Sequence, residues 1–190
     1  MPSPGDFTVR PLRESDFHDL RETYYRLYDE RDAGEPIGIT LFSDRPSMDD
    51  EVAWFDRHLR RVSDGHMVFV VAEVDGHVVG SCTVDRAGAT DTSEEAHVGH
   101  LGILVRKGYR GRGIGTALLE RALAEARSKF DVVFLSVFSV NRGAQQLYRR
   151  FGFSVCGHLP RVVKRGNEYF DEEQMVLVFP DRPTTARAKG

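Results

Sequence analysis

Cysteine is nearly missing from this chain. Only Cys82 and Cys156 occur among 190 residues, so no disulfide framework can hold it together. Both sit in apolar runs and read as reduced, buried thiols. No C-x-x-C or H-E-x-x-H spacing occurs, and no metal is expected. No apolar run is long enough to cross a bilayer. Met1 to Phe7 lacks the basic and apolar regions of an export signal. A cytoplasmic protein without membrane association is therefore expected. Neither charge sign dominates: 26 Lys and Arg against 29 Asp and Glu give a formal net charge of -3. That gives no reason to expect nucleic-acid binding. Internal repeats and signs of a second domain are also absent. Residues 1–180 read as a single domain, and the polar stretch 181–190 as a disordered tail.

What is present is a run of strand and helix patterns. Phe7 to Leu12 reads as a first strand. Ser15 or Asp16 can cap a helix whose stripe is Phe17, Leu20, Tyr24, Leu27 and Tyr28, ended by the acidic linker Asp29 to Pro36. Ile37 to Phe42 reads as a packed loop. Ser47-x-x-Asp50 is close to a capping box and opens a second helix bearing Val52, Phe55, Leu59 and Val62, closed by Gly65. Met67 to Val74 and His77 to Val84 flank Asp75-Gly76, a strong hairpin signal. Arg86 to Glu95 reads as a loop and His97 to Val105 as a strand. Val132 to Phe138 is almost wholly apolar, which indicates a central strand. Ala144, Leu147, Tyr148 and Phe151 have helical spacing. Phe153 to Leu159 and Glu173 to Phe179 read as closing strands around a basic turn, Arg161 to Asn167. Such a run predicts a mixed α/β sheet covered on both faces.

The chemistry concentrates between His97 and Arg127. The strand ends at Val105, and a basic glycine turn follows: Arg110, Gly111, Arg112, Gly113, Ile114, Gly115. Thr116 then opens a helix with Leu118, Leu119, Ala122, Leu123 and Ala126 on one stripe. The first N–H groups of a helix lack intrahelical partners and carry partial positive charge, so this order builds an anion site. Glycine lets a ligand approach the backbone, and Arg110 and Arg112 add forked donors suited to phosphate. Two familiar phosphate loops do not fit. No Lys-Ser or Lys-Thr follows the glycines, as a P-loop requires. Leu118 stands where a dinucleotide fingerprint needs its third small residue.

Arg110-Gly111-Arg112-Gly113-Ile114-Gly115 resembles the R/Q-x-x-G-x-G/A loop of the GNAT superfamily of acyl-CoA-dependent N-acetyltransferases. A second element follows in order: Asn141-x-x-Ala144-x-x-Leu147-Tyr148-x-x-Phe151-Gly152-Phe153, similar to that family's N-x-x-A-x-x-L-Y-x-x-x-G-F. The resemblance covers Phe7 to Phe179. It implies a single-domain, mostly antiparallel mixed sheet flanked by helices on both faces. The strand ending at Val105 and the strand ending near Ser139 would splay apart around acetyl-CoA, the implied cosubstrate.

The resemblance also implies roles. The backbone from Arg110 to Thr116 would hold the phosphates. The strand edge at Ile103, Leu104 and Val105 would pair with the amide-rich pantetheine arm and supply an oxyanion donor. Asn141 would hydrogen-bond the pantetheine, or simply cap its helix, with Ala144 lying against the same ligand. Tyr148 would be the general acid for the departing thiol, against the plainer reading that it belongs to an apolar stripe. For the base, the candidates are His100, His97 and Glu95. An odd spacing puts the two histidines on opposite strand faces, which argues against a shared metal. The region Glu14 to Glu51 is acid-rich, either as a solvated surface or as the site of a cationic acceptor. Tyr169, Asp171 and Met175 fit a Y-x-D-x-x-x-M ending found in several such enzymes. The implied activity is acetyl transfer to a primary amine, small-molecule or peptide, by direct attack. A non-catalytic acyl-CoA sensor is the alternative, and a homodimer is left open.

Overall fold

A computed structural model of the chain describes residues 7–35, 37–88 and 92–180. Its elements are β1 (Thr8–Pro11), a short 3-10 turn (Glu14–Asp16), α1 (Phe17–Asp32), α2 (Met48–Ser63), β2 (Met67–Val74), β3 (His77–Arg86), β4 (Val98–Val105), α3 (Ile114–Ala126), β5 (Val132–Phe138), α4 (Arg142–Arg150), β6 (Ser154–Arg165) and β7 (Glu168–Val178). The strands form a seven-stranded sheet in the order β1-β2-β3-β4-β5-β7-β6. Every neighbouring pair is antiparallel except β4 and β5.

Alternating side chains give the sheet two buried faces. On one, Val70, Cys82, Val84 and Leu101 pack against Leu118, Leu119 and Ala122 of α3 and Tyr148 of α4. On the other, Met67, Phe69 and Val71 meet Leu20 of α1 and Phe55 of α2. The hairpin between β2 and β3 turns at Asp75 and Gly76, both with positive φ (51° and 80°), as a type I′ turn requires. Ser47 and Asp50 form the expected capping box of α2.

The feature that positions the site is a failure of pairing. β4 and β5 run side by side only at Val98–Val132, Gly99–Val133 and His100–Phe134. Beyond that, β4 stays with β3 as far as Val105, and β5 stays with β7 as far as Phe138. The two central strands therefore diverge after His100, as the resemblance implies.

Several sequence expectations are corrected. α1 continues through Asp29 to Asp32, because the acidic residues there are held by ion pairs. Asp16 does not cap α1 with its side chain; its carboxylate accepts from Arg10 and from the Arg13 N–H, each at 2.8 Å. α3 starts at Ile114 rather than Thr116, with Gly113 as the preceding residue. His97 precedes β4. The closing hairpin is far longer than expected: β6 runs through Pro160 to Arg165, with an irregular register between Leu159 and Val163 that absorbs the proline. Because β6 is an edge strand, Cys156 is exposed, while Cys82 is buried. Val52 lies outside the core, 42% exposed. The tail 181–190, Pro36 of the linker and 89–91 of the expected loop lie outside the described residues.

Candidate active site

The turn after β4 is built by backbone that ordinary residues avoid. Gly108, Gly111 and Gly113 have φ of 87°, 75° and 84°. A Cβ at any of the three would meet no atom within 4 Å. Conformation, not crowding, therefore requires glycine here, and the space above the turn is open. Gly113 offers no side chain to cap α3. The first helical bond to its carbonyl comes from the Ala117 N–H, at 3.0 Å. The N–H groups of Ile114, Gly115 and Thr116 are thus left for a ligand, at the positive end of the helix.

The basic residues around this turn are largely committed elsewhere, which revises the expectation for Arg110. Its guanidinium is held by Glu30 of α1, at 2.9 and 3.3 Å, and by the Val105 carbonyl, at 2.8 Å. The Glu30 side chain is 8% exposed and that of Arg110 43%. Arg106 donates to Thr23 of α1 at 3.1 Å, and Lys107 pairs with Glu35. Much of the acid-rich segment therefore neutralises this loop and locks it to α1. Arg112 lies over the Tyr109 ring at 5.5 Å, with no ion pair among the described residues.

The β4 edge is open where the strands part. The Arg106 N–H donates to the Val79 carbonyl on the β3 side, at 2.8 Å. Backbone polar groups alternate along a strand, so those of Leu101, Ile103 and Val105 point the other way, into the gap, where Arg110 already occupies the Val105 carbonyl. Leu104 turns its backbone to β3 instead.

Across the gap, α4 begins at Asn141, whose Oδ1 accepts from the Ala144 N–H at 3.2 Å. Capping thus occupies that oxygen. The buried Gln145 donates to the carbonyls of Phe138 and Ser139, at 3.2 and 3.0 Å. Gln145 Oε1 and Ser139 Oγ are buried with no partner. The glycine turn and the strand edge suit an elongated ligand that is anionic at one end and amide-rich along its length.

Tyr148 is 6% exposed and packs against Phe153, ring centroids 5.9 Å apart. Burial pushes its pKa well above the ordinary phenol range, with a smaller push from the Cys82 thiol. Its hydroxyl has no hydrogen-bond partner among the described residues, yet is not among the sealed, unpaired atoms. A phenol in this state stays protonated.

His100 sits opposite Asp85 of β3 and against Phe134 of β5, ring centroids 3.6 Å apart. Loss of solvent lowers its pKa, and Asp85 opposes this. It does not line the large cavity on that face of the sheet. His97 and Glu95 are exposed at the far end of β4. Tyr169 lies beneath Arg161, 4.0 Å from guanidinium to ring centroid, Asp171 accepts from the Arg161 N–H at 2.7 Å, and Met175 is buried. This motif stabilises the β6–β7 hairpin. Among the described residues there is no group of three or more candidate metal ligands, and no helix is long and apolar enough to cross a membrane.

The cavity, about 820 Å³, lies between α1, α2, the connecting loop and the free end of β4. Its walls include Tyr24, Phe42, Trp54 and Phe69, and its floor includes Gly102 and Leu104. The loop roofing it is tied down. Arg165 donates to the carbonyls of Ile37 and Ile39 at 3.1 and 2.7 Å, and the Tyr25 hydroxyl to the Pro46 carbonyl at 2.7 Å. The sequence marks a packed loop here but not what it roofs, because its anchor at Arg165 lies more than a hundred residues away. Nor does it single out Glu51, a cavity-lining carboxylate hidden among the acidic residues that open α2.

The splayed sheet and the glycine turn at a helix start agree with the fold that the sequence resemblance implies. The chain belongs to the acetyltransferase (GNAT) family, whose model matches residues 3–153, and is an acetyl-CoA-dependent N-acetyltransferase. It is 32% identical over 167 residues to an uncharacterized N-acetyltransferase of Methanocaldococcus jannaschii, covering 84% of this chain and 67% of that one. It is 31% identical over 111 residues to an L-amino acid N-acetyltransferase of Escherichia coli, covering 57% of this chain and 67% of the relative. Its fold matches that of a phosphinothricin acetyltransferase from Sinorhizobium meliloti solved with acetyl-CoA, at a TM-score of 0.76 and 20% identity, over 92% of this chain and 89% of that one.

Proposed function

We propose that this protein transfers an acetyl group from acetyl-CoA directly to a primary amine, both held at once, with Tyr148 as the general acid. The observation that carries the reading is the gap itself: a free backbone edge on one side and an unpaired, buried phenol on the other. Acetyl-CoA supplies a thioester carbonyl open to attack by an amine. The N–H groups from Gly113 to Thr116 hold its pyrophosphate. The edge of Ile103 and Val105 binds the pantetheine amides and presents an N–H to the carbonyl oxygen as negative charge develops there.

Tyr148 holds its proton more tightly than a phenol in water does. It therefore serves the departing sulfur first as a hydrogen-bond donor. Complete transfer would leave a phenolate in an apolar pocket, so the proton returns to Tyr148 as the site reopens to water. The acetyl group does not pass through the protein. The thiol nearest Tyr148 in electrostatic terms, Cys82, is fully buried and its pKa is raised by that burial, so it is a poor nucleophile.

Initial-velocity kinetics test this. Varying acetyl-CoA at several fixed amine concentrations should give intersecting double-reciprocal lines, as a complex of both substrates requires. Parallel lines, the mark of an acetylated enzyme, would overturn direct attack.

A further inference from the structure

We propose that Glu51 receives the ammonium group of the acceptor and takes its proton, and that the acceptor carries this amine on a compact apolar or aromatic body. The proposal rests on the transferase reading above and adds the acceptor class and the group that recognises it.

Charge accounting inside the cavity isolates Glu51. Five charged residues line it: Asp44, Arg45, Asp50, Glu51 and Arg57. Arg45 is held by Asp29 at 2.6 Å and lies over the rings of Tyr25 and Tyr28. Asp50 is spent in the capping box with Ser47. Asp44 accepts from the Ser43 hydroxyl at 3.2 Å, and Arg57 is exposed. Glu51 differs from all of these. It is 5% exposed, and its side chain makes no hydrogen bond or ion pair among the described residues. Its oxygens are not among the sealed atoms, so the little surface it keeps lies open to the cavity it lines. Arg21 acts on it only as a more distant charge, and burial raises its pKa. A buried carboxylate without a partner is costly, and a bound cation removes that cost.

The rest of the cavity sets the body of the acceptor. Leu20, Tyr24, Phe42, Trp54 and Phe69 make its walls mainly apolar and aromatic. With Asp44 engaged by Ser43 and Asp50 by Ser47, the remaining wall is apolar or carries Arg45 and Arg57, which disfavours a second positive charge on the ligand. The floor at Ile103 and Leu104 belongs to the strand whose other edge faces the gap. An amine on Glu51 therefore stands on the opposite side of β4's free end from the phosphate cradle. One nitrogen proton passes to a Glu51 oxygen and on to water. The nitrogen lone pair forms the C–N bond as the C–S pair leaves with sulfur. Tyr148 gives its proton to the departing sulfur; the second nitrogen proton leaves to water, and Tyr148 is reprotonated from water as the site reopens.

Calorimetric titration of the full chain, without acetyl-CoA, tests the binding half. The probes are 2-phenylethylamine, its neutral isostere 2-phenylethanol, and spermidine. The wild type should bind the amine about tenfold or more tightly than the alcohol, and Glu51→Gln should lose that preference while binding the alcohol as before. An amine affinity unchanged in Glu51→Gln, no measurable amine binding, or a preference for spermidine overturns the proposal. Steady-state kinetics complete it: Glu51→Gln should raise the amine KM and lower kcat, with the acetyl-CoA KM unaltered. An active wild type with an equally active Glu51→Gln defeats this inference alone. A wild type that acetylates none of a broad amine panel defeats the transferase reading instead.

Discussion

Tyr148 and Arg110 carry opposite lessons about single residues. Tyr148 belongs both to an apolar helix stripe and to a motif, and the structure reconciles the two: the ring packs in the core while the hydroxyl stays unpaired. Tyr148→Phe keeps the packing and removes only the donor. Its kcat should fall by about a hundredfold or more, with little change in acetyl-CoA affinity; an unchanged kcat removes Tyr148 from the chemistry. Arg110 reads in the sequence as a phosphate ligand, yet its guanidinium is bound to Glu30, eighty residues away in the chain. Only the fold brings the two together, so no local pattern could reveal the pair. Arg110→Ala strands the Glu30 carboxylate in a nearly buried position. Urea unfolding should show a loss of about 1–3 kcal/mol, no larger because the guanidinium is partly open to solvent. Undiminished stability would mean that the latch is incidental.

At the scale of elements, most of what was legible came from strong local rules. The Asp75-Gly76 turn, the Ser47–Asp50 box and the stripe of α3 all depend on residues within a few positions of one another. Errors gathered where tertiary contacts override local signals. Acidic residues that look like a linker extend α1 because Arg45 pairs with Asp29 and Arg110 with Glu30. A proline that looks like a strand end is absorbed at the edge, in β6. The glycine turn before a helix was readable, but not the two-residue advance of the helix start, which depends on Gly113 adopting positive φ. Gly113→Ala tests that element. The left-handed backbone would cost an alanine about 1–2 kcal/mol, and misdirection of the first N–H groups should weaken CoA binding in calorimetry. Wild-type stability and affinity together would contradict the account.

At the scale of the whole molecule, a sheet that comes apart in its middle leaves the β4 edge to which the proposal assigns the acyl donor, while the face bearing α1 and α2 holds the cavity it assigns to the acceptor. The composition of the chain says nothing of either space, since each is made by elements that meet only after folding. The same packing sets a pH response. Burial lowers the pKa of His58, whose ring lies against Trp54 with centroids 4.0 Å apart, and also that of His100. The unfolded chain then binds more protons than the folded one below about pH 6.5, so stability should be full above that pH and fall as acid is added. Glu51, whose pKa is raised, acts in the opposite sense at lower pH. Urea midpoints should drop between pH 7.5 and 5.5, and His58→Gln should lessen the drop; an identical drop in the variant would assign it elsewhere.

The central claim is that the acyl donor lies in the gap between β4 and β5, with its phosphates on the start of α3 and its sulfur at Tyr148. A crystal structure with coenzyme A tests it most directly. The account predicts pyrophosphate oxygens on the N–H groups from Gly113 to Thr116, and sulfur within hydrogen-bonding distance of the Tyr148 hydroxyl. Ligand density away from the gap, or a sulfur out of reach of Tyr148, would contradict it.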